Sequence, residues 1–242
     1  MTGIEPAEGE IVKKIDVEGL DPQVEPLGEK AHRGTRIALA LIPAAGGALV
    51  EAFNSVVESP LTKRRWDTVR DIGEVINDLL DQGIVTEENL QQNDAFISTV
   101  AEVCSISLRN HQAEKLEALK NAVKNSALPS CPADDYRQLF LDFVDVCTVS
   151  HIKLLTVFNH PRAWLDQKGI KTPNWISGSL SSVIDLALPE LKGHQEIRES
   201  IWKDMYQRGL VSTDSLNSNV SSDGMLAKRT TSLGEQLITF LS

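Results

Sequence analysis

Tyr136–Phe158, YRQLFLDFVDVCTVSHIKLLTVF, is apolar around almost the whole of a helical wheel. Tyr136, Phe140, Phe143, Cys147, His151, Leu154 and Phe158 follow one another at steps of three and four, which traces one helix face. Leu141, Val144, Thr148, Ile152 and Leu155 trace an adjoining face, and Leu139, Val146 and Val157 widen the apolar surface. Only Gln138, Asp142, Asp145 and Lys153 make a narrow polar strip. A helix patterned this way has to be covered on several sides, so the stretch predicts the centre of an all-α, multi-helix bundle.

Working back from it, Pro129 and Pro132 separate this helix from a long amphipathic segment that begins at Thr86. Val100, Cys104, Leu108, Leu116, Leu119, Val123 and Ala127 lie near steps of four along that segment, with Gln112 as a polar interruption. Ser59 and Pro60 open a further helix carrying Trp66, Val69, Ile72, Ile76, Leu79 and Leu80, which Gly83 closes. Thr35–Val57 is the least polar stretch, divided by Pro43 and Gly46-Gly47 into two short helices. Residues 1–30 hold eight acidic residues against Lys13, Lys14 and Lys30, a balance of −5, which reads as an acidic flexible tail. The helical bundle is therefore expected over residues 31–168.

Beyond the central stretch, His160-Pro161 ends the helix, and GIKTPNWISG (169–178) reads as a linker. Residues 179–242 then run helix (Ser179–Leu188), helix (His194–Arg208), GLV, a polar loop, a short strand near Leu226–Thr231, and a last helix from Leu233. The formal charge of −10 over 242 residues argues against a surface that coats nucleic acid. Cys104, Cys131 and Cys147 form no CxxC pair, which fits a reducing, cytoplasmic setting. No uninterrupted apolar run reaches the ~18 residues of a membrane span.

The C-terminal segments IWKDMYQRGLV, SLNSNVSSDGMLA and KRTTSLGEQLITFL resemble the second half of a winged-helix domain, with at most a short β-hairpin. That resemblance would put His194–Arg208 in the recognition-helix place and Ser215–Gly224 in the wing, with Arg198, Lys203, Lys228 and Arg229 as candidate nucleic-acid contacts. Against it, Glu196, Glu199 and Asp204 cancel the helix's bases, while phosphate neutralisation dominates DNA affinity. The order of residues 136–242, HIKLLTVF before a proline break and then a closing TTSLGEQL helix, is similar to the abortive-infection alpha-type proteins of bacteria and phages. The resemblance implies a bacterial phage-exclusion role and assigns no catalytic residue.

Other chemistry is sparse. Cys147 and His151 share a helix face at i,i+4, a spacing that suits a metal, but no second pair accompanies them and both lie in an apolar stripe. There is no G-x-S-x-G elbow and no Walker A loop, and Arg109 has no histidine at the spacing of an Arg-x4–6-His ribonuclease. Asp142 and Asp145 sit at i,i+3 on a solvated strip. Lys63, Arg64, Arg65 and Arg70 are the densest bases, candidate contacts for an anionic membrane surface beside Thr35–Val57. The expectation is a non-enzymatic interaction or regulatory protein without cofactor or metal, contacting another protein or a second copy of itself. Nucleic-acid binding and membrane action are the alternatives.

Overall fold

The structure, a computed structural model, describes residues 59–242. The tail over residues 1–30 and the apolar Thr35–Val57 segment lie outside the described residues. The described chain is mainly helical, with one short two-stranded sheet. It falls into two compact units, one ending at His111 and including Ser126–Pro129, the other made of Gln112–Asn125 and Ser130–Ser242. The second unit thus holds both the last part of the expected bundle and the expected C-terminal module.

In the first unit, α1 (Ser59–Asp81) and α3 (Asp94–Arg109) pack together, joined through the one-turn α2 (Glu87–Gln91). Ile72, Val75 and Leu79 of α1 are buried with Val103 and Ile106 of α3, as the apolar spacing requires. Gly83 ends α1 in the left-handed conformation (φ 65°), so that the Gly83 and Ile84 amides reach back to Leu80 and Leu79. The expected long helix from Thr86 is three helices. Thr86 caps α2 reciprocally with Asn89, Asn93 accepts from the Phe96 amide at 3.0 Å to start α3, and Asn110 leaves helical geometry at its end. Asparagine side chains compete for backbone groups, and this competition breaks the apolar periodicity into separate rods.

The second unit takes in α4 (Ala113–Ser126) up to Asn125, followed by α5 (Asp134–Val146) and α6 (Val149–Asn159). Here the expectation of one continuous central helix is corrected. Cys147 (ψ 157°) and Thr148 (ψ 163°) are both extended, and the chain restarts at Thr148. The Thr148 amide donates to His151 Nδ1 at 3.1 Å, a reciprocal N-cap built with histidine where a glutamate is usual. On the other side of the joint the Lys115 ammonium, 2% exposed, donates to the Asp145 carbonyl at 3.1 Å and the Cys147 carbonyl at 2.9 Å. It satisfies carbonyls that a helix C-terminus leaves open, at the negative end of the dipole. The break also corrects the burial pattern. Phe140, Phe143, Leu154 and Phe158 are buried as expected, but Tyr136, Leu139 and Val146 are exposed.

After α7 (Pro161–Gln167), strand β1 (Ser177–Gly178) emerges from the expected linker. Helices α8 (Leu180–Ala187) and α9 (Gln195–Gln207) follow, then β2 (Val220–Ser221), the single turn α10 (Ser222–Met225) and α11 (Ser232–Phe240). The strands β1 and β2 are antiparallel, with Ser177 opposite Ser221 and Gly178 opposite Val220. The expected strand near Leu226–Thr231 is reduced to one bridge, Val211 with Thr230. Its neighbouring backbone is held elsewhere: the Arg229 amide donates to the Phe158 carbonyl at 2.8 Å, and the Thr231 amide to the Leu210 carbonyl at 3.0 Å. Trp202 of α9 is fully buried edge-on against Phe158, with ring centroids 4.9 Å apart, at the centre of this unit's core.

Candidate functional site

The bases singled out on α9 and beyond are largely taken up by the fold. Arg198 is 7% exposed and its Nη1 lies 2.6 Å from the partly exposed Asp185 on α8, so it is a buried side chain held in an ion pair and not a surface contact. Lys228 meets Glu235 at 2.7 Å. Arg229 is half-buried, with a guanidinium nitrogen on the Gly224 carbonyl. Among the described residues, Lys203 is the one exposed base of the four without a carboxylate partner. A single lysine beside exposed Glu196 and Glu199 supplies almost none of the counterion release that drives nucleic-acid binding.

The cationic set of α1 is likewise divided. Arg64 donates to the Leu108 carbonyl at 3.4 Å, and Arg70 pairs with Asp67 at 3.3 Å, leaving Lys63 and Arg65 exposed. Among the described residues no helix is long and apolar enough to cross a membrane.

The Cys147–His151 pair belongs to the α5–α6 joint. Burial pushes the Cys147 thiol up to about 11, so at neutral pH it is a protonated, weakly reactive core group. His151 Nδ1, accepting from the Thr148 amide, stands 2.9 Å from the Thr148 hydroxyl, while Nε2 lies 3.5 Å from Asp204. This network assigns the ring proton to Nε2. Cys131 lies apart, its thiol donating to the Pro132 carbonyl at 3.4 Å, and His160 is exposed at the start of α7. Among the described residues no three histidine, cysteine or acidic side chains gather to hold a metal.

Burial also holds His151 below the usual imidazole range, outweighing the pull of Asp204, while Arg208 and Lys115 push the same way as burial. Since the folded value is lower than the unfolded one, the unfolded chain takes up the proton more readily. The stabilisation is therefore complete above about pH 6.5 and is lost as pH falls through the folded value. Thermal unfolding between about pH 7.5 and 5 should show a falling midpoint that flattens in His151→Gln. An unchanged slope in that variant would assign the effect to other groups.

A shallow cleft lies between the α4–α5 connection and α11, lined by Asn125, Ser130, Pro132, Gln236 and Thr239. Its polar groups are engaged internally: Asn125 Nδ2 donates to the carbonyls of Phe240 and Ser242 at 3.0 Å each, and Thr239 donates to the Glu235 carbonyl at 3.0 Å. It serves as a cap for the end of α11 and presents no convergent chemistry.

What remains is the outer flank of α5. Leu139 is 57% exposed and Val146 63%, with Tyr136 beside them at 43%. Asp135 and Asp142, both exposed, fall in the same row, because positions 135, 139, 142 and 146 are spaced by four, three and four. Arg137, the one base on α5, is buried and bonded to Asp134 at 2.8 Å. The helical period groups Leu139 and Val146 with the core-facing residues and Asp142 with a solvated strip; the structure exposes all three in one row. The interleaving of acids and aliphatics at one helical phase is present in the sequence, but the packing that leaves this flank of α5 uncovered is not. In comparisons with protein-family models, curated proteins and solved structures, nothing matches this chain.

Proposed function

We propose that this chain is a non-enzymatic interaction protein acting through protein contact, and that phage exclusion of the abortive-infection kind is its setting. The observation that carries the reading is the outer row of α5, where Leu139, Val146 and Tyr136 stand exposed on one helix. Isolated exposed aliphatics are ordinary, but three along one helical flank make a surface of the sort used for partner contact. Of the eight bases that would serve nucleic acid or membrane, Arg70, Arg198 and Lys228 pair with carboxylates and Arg64 and Arg229 bond to carbonyls within their own units. The phage-defence setting rests on the residue pattern of 136–242 alone.

The test uses the full chain, tagged and recovered from its host beside a Leu139→Asn/Val146→Asn variant. The expected result is a stoichiometric partner with the natural chain and its loss with the variant, both proteins melting at closely similar temperatures. An identical set of co-purifying proteins, or none with either, would count against the reading. In the defence setting, the same variant should restore phage plating; unaltered exclusion would separate that setting from the surface.

A further inference from the structure

Resting on that reading, we propose that the α5 row docks an amphipathic helix of another protein, one whose apolar stripe alternates with lysine or arginine. Asp135, Leu139, Asp142 and Val146 run as carboxylate, aliphatic, carboxylate, aliphatic along about three turns, or roughly 16 Å of helix. All four are exposed, and Tyr136 extends the apolar part towards the buried face of the helix. A partner helix laid on this row covers Leu139 and Val146 with its own apolar groups, and must then bring a favourable group opposite each interleaved carboxylate.

Charge selects among occupants. A second copy laid α5 on α5 in parallel would set Asp135 and Asp142 against their equivalents, and laid antiparallel would set them against Val146 and Leu139 with no exposed base to meet them, so both arrangements cost binding energy. Anionic lipid and nucleic acid are repelled by the same two carboxylates, and no exposed base on α5 offsets them. A neutral apolar helix would bury both carboxylates without a counter-charge, Asp142 keeping only the Gln138 amide at 3.0 Å, which is costly. A helix carrying bases at the interleaved positions removes that cost and gains rim pairs that steer encounter.

Two labelled 18-residue peptides test this against the full chain by fluorescence anisotropy. Both carry the same leucine stripe, and one has lysine and arginine at the flanking positions where the other has glutamate. The basic peptide is expected to bind with a micromolar Kd and the acidic one at least about a hundredfold more weakly. Asp135→Asn/Asp142→Asn should weaken the basic peptide about tenfold, whereas Asp166→Asn/Glu196→Gln, the same charge change at exposed positions elsewhere, should not. Leu139→Ser/Val146→Ser should abolish binding without lowering the melting temperature, since both side chains are exposed. Equal affinities for the two peptides, no binding of the basic one, or a loss shared by the Asp166/Glu196 control would overturn the proposal. If the natural partner is nevertheless lost from Leu139→Asn/Val146→Asn, the basic-helix chemistry fails while the interaction reading stands.

Discussion

Gly234→Ala should unfold the second unit or leave it barely folded, at a cost of about 3 kcal/mol or more. A Cβ built on Gly234 would stand 2.2 Å from the Leu210 carbonyl oxygen and 3.1 Å from its carbon. Both atoms are backbone, so no rotamer change relieves the clash; α11 would have to lift away from the turn after α9. That seat is also fixed by hydrogen bonds. Thr231, the N-cap of α11, accepts from the Gly234 amide at 3.1 Å and donates from its hydroxyl to the Gly209 carbonyl at 2.6 Å. The T-x-L-G step is thus a docking device for the closing helix. Gly193→Ala supplies the comparison, because its φ of 82° is strained for alanine but nothing lies within 4 Å of the new methyl. It should cost only about 1–2 kcal/mol. Denaturant midpoints for the two variants would show this, and equal midpoints would mean that α11 is not held against Leu210.

Trp202→Ala should cost about 3–5 kcal/mol. The side chain is fully buried, its ring meets Phe158 edge-on at 72°, and its Nε1 donates to the Thr213 carbonyl at 2.8 Å. Truncation removes the largest volume in this core and orphans a carbonyl besides. Trp202→Phe keeps most of the volume and loses only the donor, so about 1–3 kcal/mol is expected from the unpaired Thr213 group. Urea unfolding should rank the natural chain above Trp202→Phe and that above Trp202→Ala. Coincident curves for the two variants would make the hydrogen bond, and not the ring volume, the dominant contribution.

Local signals in the sequence carried much of this architecture. Gly83, Thr86 with Asn89, and the apolar spacing that marks Ile72, Leu79 and Leu80 all report on neighbours within a few residues, and the structure uses each of them as such. The joint at Cys147–Thr148 was not legible, because its cap uses a histidine and its other half is a lysine 32 residues before Cys147. The fate of Arg198 was equally hidden, since Asp185 sits on another helix and nothing in the spacing announces the pair. Periodicity alone ranks Leu139 with Phe140 and Phe143; only the packing of α5 separates the exposed row from the buried one. The candidate surface was therefore visible as a pattern of residues and invisible as a surface.

The claim that protein contact runs through α5 is tested most directly by a photo-reactive amino acid placed at position 139 and, separately, at position 203, in the full chain expressed in its host. Both positions are exposed, the first in the α5 row and the second on α9 at the lysine that a nucleic-acid-binding helix would use. Irradiation is expected to give one discrete protein adduct from position 139 and none from position 203. An adduct with nucleic acid or protein from position 203, with position 139 silent, would contradict the account.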